Sequence, residues 1–298
     1  MSAAARITLV LLTYNRRQEA LRTIAANLRS AGCPLVVVDN GSQDGTAQAV
    51  RQAFPQVRLV CLERNLGAAG RNAGVRQVTT QYVAFADDDT CWEPGALAQA
   101  VRLLDAYPQA GILNARVLVG PQRRPDPANA PMAASPLPGP PGLGPELIGY
   151  MAGACVMRTG LFLEVGGYHP RLFIGGEEAL LALDAMQRGW RIHYAPALAT
   201  CHRPSPRRDS ALRRRMLARN AVWTAWLRLP AAQAWQATRR QLACAGGLAA
   251  RMRLASDVLR GLPWLVRHRR VLDPAVLDKL RRVAAGPRPR RRDSGRGG

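Results

Sequence analysis

Four short apolar runs, at residues 6–12, 35–38, 57–62 and 81–86, alternate with stretches of helical character at about 16–30, 44–54 and 67–78. Strands that alternate with helices need crossover connections, and those connections favour a parallel sheet flanked by helices. The spacing therefore predicts an α/β domain whose first part is built like a nucleotide-binding half-domain. A further helix at about 94–106 and a strand near 110–118 extend it.

Two of these runs end in acids. Tyr82-Val83-Ala84-Phe85-Ala86 is followed by Asp87-Asp88-Asp89, and Pro34-Leu35-Val36-Val37-Val38 by Asp39-Asn40-Gly41-Ser42. Carboxylates gathered at the edge of a sheet repel one another unless a cation or a donor-rich ligand offsets them. In open α/β sheets ligands bind beyond the carboxyl ends of the strands, so the two acid-tipped ends can face one crevice. A solvated acidic turn is the alternative reading of the Asp triplet alone.

The regular pattern breaks at 120–146, where nine prolines between Pro121 and Pro145 predict a long surface loop without regular structure. Order resumes with a strand at Gly153-Ala154-Cys155-Val156-Met157-Arg158 and a turn at Val165-Gly166-Gly167-Tyr168. A helix then opens at Gly176-Glu177-Glu178, with both acids in the first turn where the helix dipole favours them. From about 208 onward the chain is rich in Ala, Arg and Leu and reads as helical, with Trp223, Trp226, Trp235 and Trp264 among the arginines. The expected division is an α/β domain at 1–206 (halves at about 1–90 and 91–206), a basic helical region at 207–285 and a disordered tail at 286–298.

Charge is unevenly placed. Residues 203–298 hold 24 Lys and Arg against 5 Asp and Glu, so that segment carries +19 of the formal net charge of +22. Such a segment can meet an anionic membrane surface or nucleic acid. The chain has 298 residues, 48% hydrophobic, with a mean hydropathy of −0.13, which fits a soluble globular protein with a real core. It lacks an apolar run long enough to span a bilayer and a signal-peptide pattern, and its six scattered cysteines form no Cys-x-x-Cys pair. A cytoplasmic protein is expected, able to sit peripherally on the inner face of the plasma membrane.

The motifs between about residues 6 and 204 resemble, in order, those of the family 2 glycosyltransferases, inverting enzymes with a GT-A fold. They are Thr13-Tyr14-Asn15-Arg16, Val38-Asp39-Asn40-Gly41-Ser42-x-Asp44-Gly45-Thr46, Asn65-x-Gly67-x-x-Gly70-Arg71-Asn72-x-Gly74, Asp87-Asp88-Asp89, Gly153-Ala154-Cys155, Gly166-Gly167-Tyr168, Glu177-Glu178 and His202. The resemblance implies a GT-A fold, a Rossmann-like and mostly parallel sheet flanked by helices, with a C-terminal helical extension. It also implies transfer of a sugar from a nucleotide-diphosphate sugar to a glycan or lipid-linked acceptor in cell-envelope glycan synthesis. By the same resemblance Asp87 and Asp89 form the metal-binding Asp-x-Asp, His202 completes the site, and the metal is Mn²⁺ or Mg²⁺. A divalent cation suits this reaction because a nucleotide diphosphate leaves poorly unless its growing charge is neutralised.

The resemblance further implies that Asp39 accepts a hydrogen bond from the base and that Thr13, Tyr14 and Asn15 line the nucleoside pocket beside Asn40 and Gly41. Asp88 lies nearer the ribose, and Asn65 and Arg71 hold the nucleotide side, Arg71 as a phosphate partner. An attacking hydroxyl needs a carboxylate base, and Glu178 is the expected one, with Glu177 beside it. The family usually has Glu-Asp here with a second Asp two positions on, where this chain has Glu178 and Leu180. Two other classes stand beside this one: a nucleic-acid-binding protein using the basic third, which leaves the acidic motifs unexplained, and a sugar nucleotidyltransferase, whose Gly-rich, Lys-containing loop is missing. Nucleic acid is therefore an unexpected partner.

Overall fold

The computed structural model describes residues 3–204 and 210–286. β1 (Ile7–Thr13) leads through α1 (Arg17–Ser30) to β2 (Leu35–Asp39), then α2 (Thr46–Ala53), β3 (Arg58–Cys61), α3 (Gly70–Val75) and β4 (Tyr82–Asp87). The short β5 (Thr90–Trp92), α4 (Ala96–Ala106) and β6 (Ala110–Val119) follow. Next come β7 (Arg124–Pro125), α5 (Asn129–Ala133), β8 (Glu146–Leu147), β9 (Cys155–Arg158), α6 (Thr159–Glu164), α7 (Glu177–Gln187) and β10 (Arg191–His202). The C-terminal helices are α8 (Ser210–Arg228), α9 (Ala231–Cys244), α10 (Gly247–Leu259), α11 (Leu262–His268) and α12 (Pro274–Ala284).

The strands form one sheet in the order β3-β2-β1-β4-β9-β6-β10-β5. Its first four strands are parallel, as the alternating pattern requires. Beyond β4 the sheet is mixed, because β9 enters antiparallel to both β4 and β6 while β10 runs parallel to β6. Ile7, Leu9 and Leu11 face one core with Val37, Tyr82 and Leu104; Val10 faces the other with Val38, Phe85 and Tyr168. A period-two strand with apolar residues at both parities belongs between two layers of helices, which is why β1 is apolar throughout.

Two features depart from the sequence expectation. The 120–146 segment carries short regular pieces, β7, α5 and the start of β8. Pro125 is tolerated because β7 is a two-residue edge strand, where a missing N–H costs little. The buried Asn129 ties the segment to β6, accepting from Val117 N at 3.0 Å and donating to Val117 O at 2.7 Å. The longest strand, β10, has no clear sequence signal, because Pro196 lies inside it and its register with β6 shifts between Ala195 and Ala199. The tail expected to be disordered, 286–298, lies outside the described residues apart from Gly286.

The C-terminal helices pack onto the sheet-bearing part through tryptophan. Trp223, Trp264, Leu227 and Leu265 bury against Leu172 and Leu180, and Trp226 donates to Thr238 Oγ1 at 3.0 Å. Trp235 is exposed.

Candidate active site

Register brings the acid-tipped strands together. In the sheet Thr13 pairs with Asp39 on one side of β1, and Leu12 pairs with Asp87 on the other. The carboxyl ends of β1, β2 and β4 thus share one edge. On the far side β5 pairs antiparallel with β10, opposing Thr90 to His202. That pairing brings His202 Nε2 to 3.5 Å from Asp89 Oδ1, although 112 positions separate them in sequence.

Asp39 is 3% exposed, and its Oδ1 has no hydrogen-bond partner among the described residues. A buried acceptor left without a donor costs stability, so this oxygen is prepared for a donor that the folded chain does not supply. Around it the backbone is tightly set. Asn15 adopts a left-handed φ of 50°, accepts from Gln43 N at 2.8 Å, and its own N–H donates to Ser42 Oγ at 2.9 Å. Gly41 has φ 81°, and a Cβ there would stand 2.7 Å from the Arg64 backbone, so only glycine lets the two loops approach. Tyr14 is 40% exposed at the mouth.

Asn40 and Asn65 hold the loops rather than open into the cleft. The Asn40 amide donates to Asn65 Oδ1 at 2.9 Å and to Gly67 O at 3.0 Å, while its oxygen accepts from Leu66 N. Asn72 plays the same part for the Gly166-Gly167-Tyr168 turn, donating to Tyr168 O at 2.8 Å and accepting from Tyr168 N at 3.0 Å.

The three aspartates have separate environments. Asp87 pairs with Arg71 through Oδ1, and Gly153 lies so close that a Cβ would be 2.9 Å from Asp87 Oδ2. Asp88 is turned towards the start of α1, where it accepts from Arg16 at 2.9 Å and from Thr13 Oγ1 at 3.2 Å. Burial, the largest influence, pushes its carboxyl up to about 7; Arg16 opposes this, and repulsion from Asp87 and Asp89 adds to it. Asp89 lies between His202 and Arg16, whose guanidinium is 3.5 Å from its Oδ2.

Arg71 is itself buried, with its guanidinium 5.7 Å from the centroid of the Tyr168 ring. Burial opposes its charge, and Asp87, Tyr168, Glu177 and Glu178 outweigh that effect, so its pKa is raised and the cation is retained. Its Nε has no hydrogen-bond partner among the described residues. The geometry makes Arg71 the counter-ion of Asp87 before it can be a phosphate partner.

Glu177 and Glu178 open α7 after two left-handed glycines, Gly175 and Gly176. Glu178 is half-buried on the side that senses Arg71 and Asp87. Glu177 lines a cavity of about 200 Å³ behind the helix, with Gly166, His169, Asp184 and Trp264, and its Oε2 is buried without a partner. Burial raises the pKa of both carboxyls, and for Glu177 repulsion from Glu178 adds to the effect.

Sequence reasoning missed the support of this helix. Asn220 of α8, fully buried, donates to Leu172 O at 2.7 Å, Ile174 O at 3.2 Å and Gly175 O at 2.6 Å. Within the held loop Phe173 has φ 58°, and its carbonyl accepts from Ala68 N at 2.6 Å. The loop before the glutamates is therefore clamped between the C-terminal helices and the Gly67 turn. No motif signals this, since an Asn inside an Arg-rich helix looks like surface.

Among the described residues no three His, Cys, Asp or Glu side chains converge closely enough to hold a metal by themselves. The donor set still suits Mn²⁺ or Mg²⁺, because such ions are commonly held by one or two carboxylates with the remaining positions filled by substrate phosphates and water. Asp89 and His202 are the pair that the fold brings together, and Asp87 stands apart on Arg71.

A parallel sheet half with acids at its strand ends, continued by a mixed half that carries a glutamate-bearing helix and a histidine strand, matches the architecture of a GT-A glycosyltransferase. The glycosyl transferase family 2 profile matches residues 8–162, and the chain belongs to that family. It is 27% identical over 233 residues to an N-acetylglucosaminyl-diphospho-decaprenol L-rhamnosyltransferase of Mycobacterium tuberculosis, covering 66% of this chain and 75% of the relative. It is 35% identical over 104 residues to the succinoglycan biosynthesis protein ExoO of Rhizobium meliloti, covering 34% and 30%. The fold is similar to that of the mannosyltransferase PcManGT from Pyrobaculum calidifontis, in complex with GDP-Man and Mn²⁺. That likeness has a TM-score of 0.58 at 22% identity and covers 94% of this chain and 86% of the other.

Proposed function

We propose that this glycosyltransferase inverts configuration as it moves a sugar from a nucleotide-diphosphate donor to a hydroxyl of a lipid-linked glycan acceptor. The observation that carries the donor half of the reading is the buried, unpartnered Asp39 Oδ1 on the sheet edge shared with Asp87. A nucleobase N–H supplies the donor this oxygen lacks, with Thr13, Tyr14 and Asn15 beside it and Asn40, Gly41 and Asn65 shaping the loops. The acceptor half is supported by the mycobacterial relative, whose name specifies a diphospho-decaprenol-linked sugar.

Asp89 and His202 hold the divalent cation in this reading, which would neutralise charge on the departing diphosphate. Arg71 orients Asp87 through their ion pair, and Asp88 fixes the acidic turn against α1 through Thr13 and Arg16. Glu178 takes the proton of the acceptor hydroxyl, and burial, which raises its pKa above the ordinary carboxylate value, makes it a stronger base for that step. Glu177 is its buried neighbour and faces the cavity behind. In this division residues 1–206 form the catalytic unit and 207–285 its basic helical support.

The test is a thermal-shift panel of nucleoside diphosphates and nucleotide sugars with and without Mn²⁺, followed by product analysis. A stabilising donor, stronger with metal, and a product of inverted anomeric configuration are expected. Stabilisation by no nucleotide diphosphate or nucleotide sugar would refute the donor site, and a retained configuration would refute Glu178 as base.

A further inference from the structure

From the surface of α10 and α11 we infer a docking face for an anionic lipid bilayer. Leu248, Met252 and Leu259 recur at i, i+4 and i+11 along α10 and are 74%, 64% and 63% exposed. At helical spacing these three lie on a single stripe. The opposite face of α10, with Leu254 and Asp257, is buried against the protein. On the following helix α11, Leu262 and Val266 are 50% and 71% exposed and one turn apart, while Trp264 and Leu265 between them face inward. Five large apolar side chains exposed along two consecutive helices are unusual for a surface that meets only water.

Charge selects the occupant. Arg251 falls to one side of the α10 stripe and Arg253 and Arg260 to the other, all exposed, and Arg267 follows on α11. Asp257 is the single acid of residues 247–268, and it is buried and held by Arg215 at 2.6 and 2.8 Å. An apolar stripe bordered by arginine, with no exposed acid, is the composition of a helix lying in the headgroup plane of an anionic membrane. A protein partner of ordinary surface composition does not require the one-sided charge. Nucleic acid does not require the apolar stripe. No helix among the described residues is long and apolar enough to cross a membrane, so the contact is in-plane. The inference deepens the lipid-linked acceptor reading but stands on these side chains alone.

The experiment is co-sedimentation of the full chain with vesicles of phosphatidylglycerol and phosphatidylcholine, or of phosphatidylcholine alone, at low and high salt. Wild-type protein should bind the anionic vesicles and release with salt. The triple variant Leu248→Gln, Met252→Gln, Val266→Gln should weaken that binding about tenfold or more, because each substitution removes apolar area from the bilayer contact. These positions are exposed, and an unchanged nucleotide-induced thermal shift confirms that the variant is folded. Three results overturn the inference: no vesicle binding, equal binding by wild type and variant, or self-association or RNA binding that the variant abolishes while the vesicles sediment alone. Intact vesicle binding with no sugar transfer to any lipid-linked acceptor instead refutes the acceptor reading and leaves the docking face standing.

Discussion

Replacing Asn220 with Ala removes a clamp whose cost can be worked from the geometry. The side-chain amide has two N–H groups shared among three carbonyls, those of Leu172, Ile174 and Gly175. Leu172 O keeps a contact from Arg219 at 3.2 Å, so two carbonyls lose their donor. At about 1–3 kcal/mol for each buried group left unsatisfied, the loss is about 2–6 kcal/mol. For a chain of this size that lowers Tm by roughly 3–10 °C. The loop so released also contains Phe173 in a left-handed conformation, a state that costs about 1–3 kcal/mol and persists only while neighbours enforce it. Freed from Asn220, the loop relaxes and the start of α7 moves with Glu178. The assay pairs differential scanning fluorimetry with transfer kinetics: Asn220→Ala should lower Tm, and kcat should fall more than donor KM rises. Asn220→Asp preserves shape but presents an acceptor to three carbonyls, and should be at least as damaging. A wild-type Tm and kcat in Asn220→Asp would refute the reasoning.

Five further outcomes follow from the site. Glu178→Gln should lower kcat by about 10²-fold or more with donor binding retained, whereas Glu177→Gln should cost far less, measured under the same transfer conditions. Glu177 is raised from 4.5 to about 7, so its folded carboxyl holds a proton that the unfolded chain releases; wild-type stability should fall as pH rises across that interval, and Glu177→Gln should flatten the fall in Tm. Asp39→Ala should weaken nucleotide binding by roughly 10- to 100-fold, read by calorimetry, since a charge-assisted hydrogen bond is worth about 1.5–3 kcal/mol. His202→Ala should raise the Mn²⁺ concentration needed for half-maximal activity, and an unchanged metal titration would remove His202 from the site. Gly67→Ala should fail to fold or lose several degrees of Tm, because its φ is 61° and a Cβ would lie 2.0 Å from Phe173 O.

Most of the site was legible as residue types in order, and less of it as contacts. Asp39 and the Asp87-Asp88-Asp89 turn stand out because acids at the end of apolar strands conflict with burial, and that conflict is local. Their division of labour is not local. That Asp88 is held by Thr13 and Arg16, that Asp87 is neutralised by a buried Arg71, and that Asp89 meets His202 each depends on a partner from another element. Arg71 reads as a phosphate ligand from its chemistry, and the structure instead surrounds it with Tyr168 and two carboxyl-bearing elements.

The amino-acid order alone determined the α/β class, the parallel nucleotide half, the acidic strand tips and the basic C-terminal third, because periodicity and charge are carried by neighbouring residues. Tertiary structure decided the mixed second half, the long β10 with its internal proline, the clamp from Asn220 to the helix of Glu177 and Glu178, and the exposed, arginine-bordered apolar side chains on α10 and α11. Each of these rests on which distant surfaces bury against each other. A single window of sequence cannot record that, since an exposed and a buried leucine in a helix are spelled the same way.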